Sequence, residues 1–374
     1  MDTLLTILIG IVVIGFLVFI HEGGHYLAAR AFGVRVTEFM LGLPGPRIGF
    51  TVGETRFGVT AVPLGGYARV CGMEVGKESP HLPAALASMR VRGTANMEDV
   101  AMDAGITDDE AYEALEELVQ WGTLTGPTRR DPYNTYHLSI KIPEGMSDEA
   151  LLERERSRQY RSLPFWKRSI ILIAGPAMNI IFAVLAFIIC YSLVGFDMQL
   201  DDGTIVHRTL TVWQSVRVGF IYIGMVGQAI LQLFNPATVG EVISDSASVI
   251  GIAVISKQAA DAGLAALLEF TGMISVSLGI MNMLPIPPLD GGRFLVEIYQ
   301  KIARRHISLR AMNTVTIIGV SLFMVLFVVM IGQDVSRFIF GNWYGAKPSV
   351  RWLIRRTRPH QATDLRWTHC CARC

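Results

Sequence analysis

The chain has 374 residues, of which 51% are hydrophobic and 17% are charged, and its formal net charge is +1. An ordinary soluble domain carries about 25% charged residues, so this composition indicates an integral membrane protein and argues against a soluble enzyme. A net charge so close to zero gives no reason to expect nucleic acid as a partner.

The first element in chain order is an apolar run, MDTLLTILIGIVVIGFLVFI, without the basic segment and cleavage site of a signal peptide. We therefore expect a retained transmembrane helix over about residues 4–28. Its end, HEGGHYLAAR, places His21, Glu22 and His25 where ionisable side chains are costly. Histidines four apart share a helix face and can bind one Zn²⁺, with the glutamate beside them placed to act on water. The alternative is a histidine pair at a helix end near the membrane interface.

Residues 34–70 alternate between polar and apolar residues, as strands do. RIGFTV, the turn GET and RFGVTAV predict a β-hairpin over residues 47–62. We expect this hairpin region to be associated with the membrane and to offer an edge strand to an extended peptide. A plain interfacial loop is the alternative.

The stretch from about 80 to 163 differs from its surroundings because it is polar and holds fifteen acidic against nine basic residues. Within it, Thr107 and Glu110 form a capping box before an amphipathic helix, and a strand-like YHLSI follows. The order predicts a small winged-helix-like domain inserted into a cytoplasmic loop. Its would-be recognition helix is acidic and would repel phosphate, so we expect no nucleic acid but a homodimer contact or a cytoplasmic regulator at residues 80–163.

Three more apolar runs are long enough to cross a bilayer, at about residues 169–194, 265–289 and 311–332. A further run, 211–234, is interrupted by polar residues such as Arg217. Lys and Arg concentrate in cytoplasmic loops. The charge count shows sixteen of them in residues 33–168, five in 291–310 and three in 197–262. This bias predicts that the N-terminus lies outside, although the basic tail 341–374 conflicts with it.

The segment GIMNMLPIPPLDGGRF places Asp290 at the cytoplasmic boundary of a span broken by three prolines. Irregular backbone beside an acid at membrane depth indicates a site, although a helix terminator at the interface is the alternative. His21 and Asp290 both lie at cytoplasmic ends, so their spans run parallel and an odd number of crossings separates them. The span 169–194 supplies one crossing. We therefore predict four transmembrane helices, with 211–234 interfacial or re-entrant.

Four motifs together resemble the signatures of the site-2 protease family, in its bacterial RseP-like form. They are HEGGH, PLGGYARVCGME, AGPAMN and NMLPIPPLDGG. The resemblance covers about residues 1–75 and 164–340, and it implies an α-helical polytopic membrane protein that is an intramembrane zinc metalloendopeptidase. It also implies a role for each of six residues: zinc ligands His21, His25 and Asp290, general base and acid Glu22, and substrate-binding Asn179 and Asn282. Beside Gly175, Asn179 would by itself more often be a structural amide in helix packing.

The chain also departs from the family pattern. Such proteases usually carry PDZ domains outside the membrane, whereas only about residues 197–212 precede the run 211–234 here, and the insert is not part of the common pattern. The expected domains are therefore the catalytic helix with its hairpin, the insert, the transmembrane core and the basic tail, at 1–75, 80–163, 164–340 and 341–374.

The expected activity is cleavage of single-span membrane proteins, for example an anti-sigma factor or a remnant signal peptide, by a multi-pass enzyme of the cell membrane. Its partners would be this substrate and the lipid bilayer, and its active site would lie near the cytoplasmic face. Two other classes stay open: a catalytically inactive scaffold of the same fold, and an ion-coupled transporter using buried acids. The intact Glu22 argues against the scaffold, since a scaffold needs no general base. No inverted repeat is visible to support the transporter.

Overall fold

The computed structural model describes residues 2–62, 65–73, 78–128, 131–199, 204–304, 307 and 309–340. The tail 341–374, for which the basic charge was noted, lies outside the described residues. In chain order the helices are α1 (Asp2–Ala31), α2 (Leu82–Arg92), α3 (Met97–Ala104), α4 (Asp108–Gln120), α5 (Asp148–Ser157), α6 (Phe165–Ile188), α7 (Val212–Gln232), α8 (Val239–Asp245), α9 (Val249–Ala262), α10 (Leu264–Asn282), α11 (Asp290–Ala303) and α12 (Leu309–Phe340). The strands are β1 (Val36–Leu41), β2 (Arg47–Val52), β3 (Thr55–Thr60), β4 (Gly66–Val70), β5 (Thr94–Ala95), β6 (Leu124–Thr125), β7 (Tyr136–Leu138), β8 (Phe196–Gln199) and β9 (Ile205–Arg208).

The described part of the chain is mostly helical, and several of its helices are apolar enough to cross a membrane, as expected of a multi-pass membrane protein. By length and composition five qualify: Thr3–Ala31, Phe165–Val194, Val212–Gln232, Leu264–Asn282 and Ala311–Arg337. Four of them coincide with the predicted spans. The fifth, Val212–Gln232, lies in the run 211–234, which is predicted to be interfacial or re-entrant because polar residues interrupt it.

Helix α6 is the centre of the membrane-embedded bundle, because it packs against α1 on one side and α10 on the other. The approach to α1 is close at Gly24, where a Cβ would overlap the carbonyl oxygen of Ala174. The approach to α10 is close at Gly279, where a Cβ would lie 3.0 Å from the carbonyl oxygen of Pro176. Glycines at these points let the backbones approach, which is how apolar helices gain contact area in lipid.

Helix α7 begins beside the end of α6 and continues along it. The hydroxyls of Ser192 and Ser215 lie 2.7 Å apart, and one turn later Gly219 faces Phe187 and Val184. Ser192 belongs to a π-helical continuation of α6, Ile189–Val194. The first turns of α7 therefore run back alongside α6 rather than away from it.

A four-stranded sheet follows α1, with strand order β2-β3-β1-β4. Strands β2 and β3 are antiparallel, from Arg47 opposite Thr60 to Val52 opposite Thr55, so the segment 47–60 forms a hairpin around a two-residue turn. Strand β1 is parallel to β3 and antiparallel to β4. Both β2 and β4 are edge strands. All six residues of β2 are exposed.

The segment after β4 has its own apolar core, formed by residues between Leu82 and Leu152. Its element order is α2, β5, α3, α4, β6, β7 and α5, with a small sheet of order β5-β7-β6. The predicted capping box is confirmed: the Thr107 side chain accepts from the N–H of Glu110, whose carboxylate accepts from the N–H of Thr107. The apolar face of this amphipathic helix is predicted at Ala111, Leu115, Leu118 and Val119. The first three are buried, and Val119 is partly buried against the same core.

An ion-pair network, the junction cluster, joins this segment to α1 and to the hairpin turn. It consists of Arg35, Glu54, Glu155 and Arg158. Arg35 Nη1 donates to Glu155 Oε2 at 2.6 Å, and these side chains are 1% and 0% exposed. Arg158 donates to both oxygens of Glu54, and this contact is the main reason that the pKa of Glu54 falls to about 2.

The last helix, α12, contacts the rest of the bundle at two described points. The Asp334 carboxylate of α12 accepts from the N–H groups of Ser248 and Gly251, at 2.7 and 3.0 Å, and so caps the start of α9. A Cβ at Gly319 of α12 would overlap the carbonyl oxygen of Pro287. These contacts hold α12 beside the proline-rich segment that precedes α11.

Candidate metal centre

Helix α1 presents His21 and His25 on one face, one turn apart, as their spacing predicts. Both are 7% exposed, and their Nε2 atoms lie 3.4 Å apart. The close approach at Gly24 puts this face of α1 against α6. A fully apolar bilayer interior would penalise both imidazoles, but here protein surrounds them.

Asp290 reaches the two histidines from the start of α11. Its Oδ2 lies 3.0 Å from Nε2 of His21 and 3.2 Å from Nε2 of His25. Gly291 and Gly292 let the segment turn sharply here, since a Cβ at either would overlap backbone atoms of residues 283–287. A tight backbone loop thus places the aspartate beside the histidines, and this loop has no room for a Cβ at the two glycines.

The donor set fits a zinc ion. Among the described residues, His21, His25 and Asp290 form the group of three metal-ligating side chains whose donor atoms lie close enough to share one ion. Zinc bonds of about 2.0–2.1 Å in a tetrahedral site place neighbouring ligand atoms roughly 3.3 Å apart. The three distances in the structure, 3.0, 3.2 and 3.4 Å, match the edges of such a tetrahedron. Two imidazoles and one carboxylate leave the fourth position open, as catalytic zinc sites do.

Glu22 lies next to the ligands but takes no part in the cluster. Its Oε2 accepts a hydrogen bond from the backbone N–H of Ala68 in β4, at 2.9 Å. Since Ala68 pairs with Phe39 of β1 in the ladder, an N–H that reaches Glu22 points away from β1. The free edge of β4 therefore faces the glutamate.

A cavity of about 770 Å³ joins these groups. His21, Glu22, His25 and Asp290 share its wall with the whole of β4 and with α11 and α12. Its polar wall further from the ligands includes Arg293, Glu297 and Asn313. A chamber of this size, lined by polar side chains and one exposed strand edge, has room for an extended peptide.

The two asparagines have different surroundings. Asn282, at the end of α10, lines the cavity. Asn179 is fully buried in α6, and its amide nitrogen lies 3.2 Å from Nδ1 of His21. The structure thus brings Asn282 to the chamber where a substrate would lie, and brings Asn179 to the back of a candidate ligand.

Two contributors have no side-chain signal in the sequence. One is the backbone N–H of Ala68, which holds Glu22. The other is the backbone carbonyl of Ile171, which accepts from Nδ1 of His25 at 2.7 Å. Sequence motifs report side chains, so backbone groups of this kind become visible only in the fold. The spacing of Ile171, Gly175 and Asn179, four residues apart along α6, is the one available hint.

Comparison with known proteins gives a consistent result. The family model described as peptidase family M50 matches residues 9–326. The regulator of sigma-W protease RasP of Bacillus subtilis (strain 168) is 25% identical over 421 aligned residues, which cover 89% of this chain and 98% of that protein. The zinc metalloprotease RasP of Geobacillus kaustophilus (strain HTA426) is 23% identical over 422, covering 90% and 99%. The family-model match spans the candidate metal centre.

Proposed function

Since this chain belongs to peptidase family M50 and is an intramembrane zinc metalloprotease, we propose that His21, His25 and Asp290 hold the zinc and that Glu22 is its general base and acid. The observation that carries this assignment is the convergence of three donor atoms within 3.4 Å of one another beside Glu22, on the wall of one cavity.

Zinc, when bound, supplies a Lewis acid that polarises a carbonyl and makes a water more acidic. Glu22 takes the proton from the attacking water and passes it to the leaving amine of the cleaved peptide bond. The hydrogen bond from Ala68 N–H to Oε2 fixes the carboxylate without neutralising it. Asn282, on the same wall, is placed to hold the substrate or the oxygen that gains charge.

The substrate is a single-span membrane protein, such as an anti-sigma factor or a remnant signal peptide. The B. subtilis relative is named as a regulator of sigma-W, which supports the first of these. A helical substrate hides its carbonyls in its own hydrogen bonds, and unwinding it in lipid leaves backbone groups that need partners. The free edge of β4, beside Glu22, supplies such partners by strand addition.

The hairpin of β2 and β3, for which the sequence predicts the edge strand, lies at the other edge of the same sheet from β4, so we propose strand addition at β4 instead. Ile48, Phe50 and Val52 are 81%, 66% and 59% exposed, which suits contact with lipid. A proline scan of the outward-facing N–H groups of β2 and β4, leaving Ala68 intact because it holds Glu22, tests strand addition. We expect prolines in β4 to reduce cleavage more than prolines in β2. Unchanged cleavage throughout the scan would rule strand addition out.

Four spans, with the N-terminus outside and the metal centre near the cytoplasmic face, remain the proposed topology. Helix α7 then begins beside the outer end of α6, where Ser192 meets Ser215. Its polar interruptions, such as Arg217, are the reason to propose that it enters the bilayer without crossing. The segment 80–163 is proposed to be a winged-helix-like cytoplasmic domain with a regulatory or dimerisation role, supported by its separate core and element order.

The decisive experiment compares the wild type with Glu22→Gln, both purified in detergent. Glutamine has nearly the same shape but cannot act as a base, so we expect unchanged zinc content and cleavage of a tagged single-span reporter reduced about 10²- to 10⁴-fold. Mass spectrometry of the products should place the cut near the cytoplasmic end of the reporter helix.

The outcomes separate the remaining possibilities. Zinc without cleavage in the wild type would indicate an inactive scaffold. Absence of zinc from the wild type would contradict the assignment of His21, His25 and Asp290 as the metal ligands. Equal cleavage by both proteins would remove Glu22 from the mechanism, and a cut near the outer end would reverse the proposed topology.

A further inference from the structure

Helix α6 turns one face toward both candidate ligands. Ile171, Gly175 and Asn179 are four residues apart, so they lie one above another on the same side of the helix. All three are buried. Each touches the imidazole of His21 or His25 at a different point, and together they constrain both rings.

For His25 the constraint is complete. Its Nδ1 lies 2.7 Å from the carbonyl oxygen of Ile171. A carbonyl only accepts, so Nδ1 carries the proton and Nε2 is left bare toward Asp290. Gly175 provides the space: a Cβ there would overlap His25 Nε2. The ring can neither turn nor change its tautomer without losing this contact.

For His21 the same requirement falls on Asn179. Nε2 of His21 faces Asp290 and His25, and it must be bare to bind a metal, so Nδ1 must carry the proton. The atom 3.2 Å from Nδ1 belongs to the Asn179 amide. An amide presents an oxygen or a nitrogen at nearly the same place, and the choice between them is an assignment. Only the oxygen accepts from Nδ1–H.

We infer that Asn179, through Oδ1, accepts a hydrogen bond from His21 Nδ1–H and is a positioning residue for this ligand, not a group that touches the substrate. This inference rests on the proposed zinc site. Asn179 is 0% exposed and does not belong to the cavity wall. The hydroxyl of Ser275 donates to the backbone carbonyl of Asn179 at 2.8 Å, a contact that does not involve the Asn179 side chain.

This role for Asn179 differs from the substrate-binding or oxyanion-stabilising role that the family resemblance implies. A side chain that stabilises a developing oxyanion must donate, whereas one that orients His21 must accept. Aspartate at this position offers only oxygens, so it accepts but does not donate when ionised. Leucine, of similar size, does neither. The pair Asn179→Asp and Asn179→Leu therefore distinguishes the two roles.

The test uses the full chain in detergent and measures two quantities: the zinc dissociation constant, by competition with a chromophoric chelator, and reporter cleavage at saturating zinc. Loss of the partner of a ligating histidine typically weakens metal binding about 10- to 100-fold, and we expect this for Asn179→Leu. Asn179→Asp should bind zinc as wild type does and retain cleavage. Ser275→Ala, which loses a neighbouring buried hydrogen bond but no imidazole contact, is the matched control and should bind zinc normally.

Two results would overturn the inference. One is zinc binding by Asn179→Leu as tight as that of wild type. The other is an Asn179→Asp protein that keeps its zinc but loses cleavage, which would show that the amide donates to the substrate. Thermal unfolding of the metal-stripped variants shows whether each one folds. Failure of the zinc site itself would appear separately, as a wild type that binds no zinc.

Discussion

The candidate metal centre and the junction cluster both bury polar and charged side chains, yet they do so in opposite ways. At the junction, the guanidinium of Arg35 meets the carboxylate of Glu155 at 2.6 Å, so opposite charges face each other. At the metal centre, two imidazole nitrogens and a carboxylate oxygen converge within 3.4 Å. All three are acceptors when unprotonated, so one shared cation would satisfy them together.

This difference separates a structural cluster from a functional one. In a buried ion pair each charge is neutralised by its partner, and the pair serves to hold together the elements that carry it. Converging acceptors have no compensation from the protein, so they indicate a ligand. The junction cluster joins the end of α1, the hairpin turn and α5. It therefore ties these three elements together by charge, whereas the candidate metal centre lies where α1 meets α6 and the start of α11.

The largest expected effect in this comparison is at the junction. Glu155→Gln leaves the Arg35 guanidinium, 1% exposed, without its buried countercharge. Breaking a buried pair from one side costs about 3–5 kcal/mol, so we expect a marked loss of unfolding free energy, measured by thermal or denaturant unfolding. Zinc bound per folded molecule should not change, because no ligand contacts Glu155.

Glu153→Gln is the matched control, since Glu153 lies on the same helix with its side chain 70% exposed. Its salt bridge with Arg156 is a surface pair, worth at most about 1 kcal/mol. Similar stability losses in the two variants would show that burial does not distinguish the junction cluster from ordinary surface pairs. Loss of zinc from folded Glu155→Gln would show that zinc binding depends on the junction cluster, and that the two regions form one cooperative unit.

Much of the metal centre was predictable because its constraints are local. The spacing of His21 and His25 follows from the helix repeat. The prolines and glycines around Asp290 predict a broken helix at membrane depth. Requiring both spans to end on the same side predicted that they run parallel, and the structure places Asp290 3.0 Å from His21. The capping box of α4 was likewise readable, since it depends on residues three apart.

The junction cluster was not predictable. Arg35 and Glu155 are 120 residues apart, and each stands in a stretch that the sequence alone presents as ordinary charged surface. Nothing local states which of the fifteen acids in residues 80–163 meets Arg35. The placement of Asn179 also depended on the fold, because the motif AGPAMN specifies a polar residue on α6 but not the ring that it faces.

A smaller effect tests the other half of the comparison, namely that the metal centre depends on shape where the junction depends on charge. Gly23 and Gly24 are neighbours between the two histidines, but only Gly24 meets α6. A Cβ at Gly24 would overlap the carbonyl oxygen of Ala174 and lie 2.9 Å from Cγ of Met178, while a Cβ at Gly23 meets nothing within 4 Å. Overpacking of this kind costs about 1–3 kcal/mol. We expect Gly24→Ala to push α1 away from α6, lengthen the contact between His25 and Ile171, and weaken zinc binding and cleavage together.

Gly23→Ala is the matched control. It should keep zinc binding and cleavage and gain slightly in stability, because alanine is the better helix former by about 1 kcal/mol. Equal zinc affinity in the two variants, measured by the same chelator competition, would show that the backbone approach of α1 to α6 does not set the ligand geometry, and that the two regions differ in charge alone.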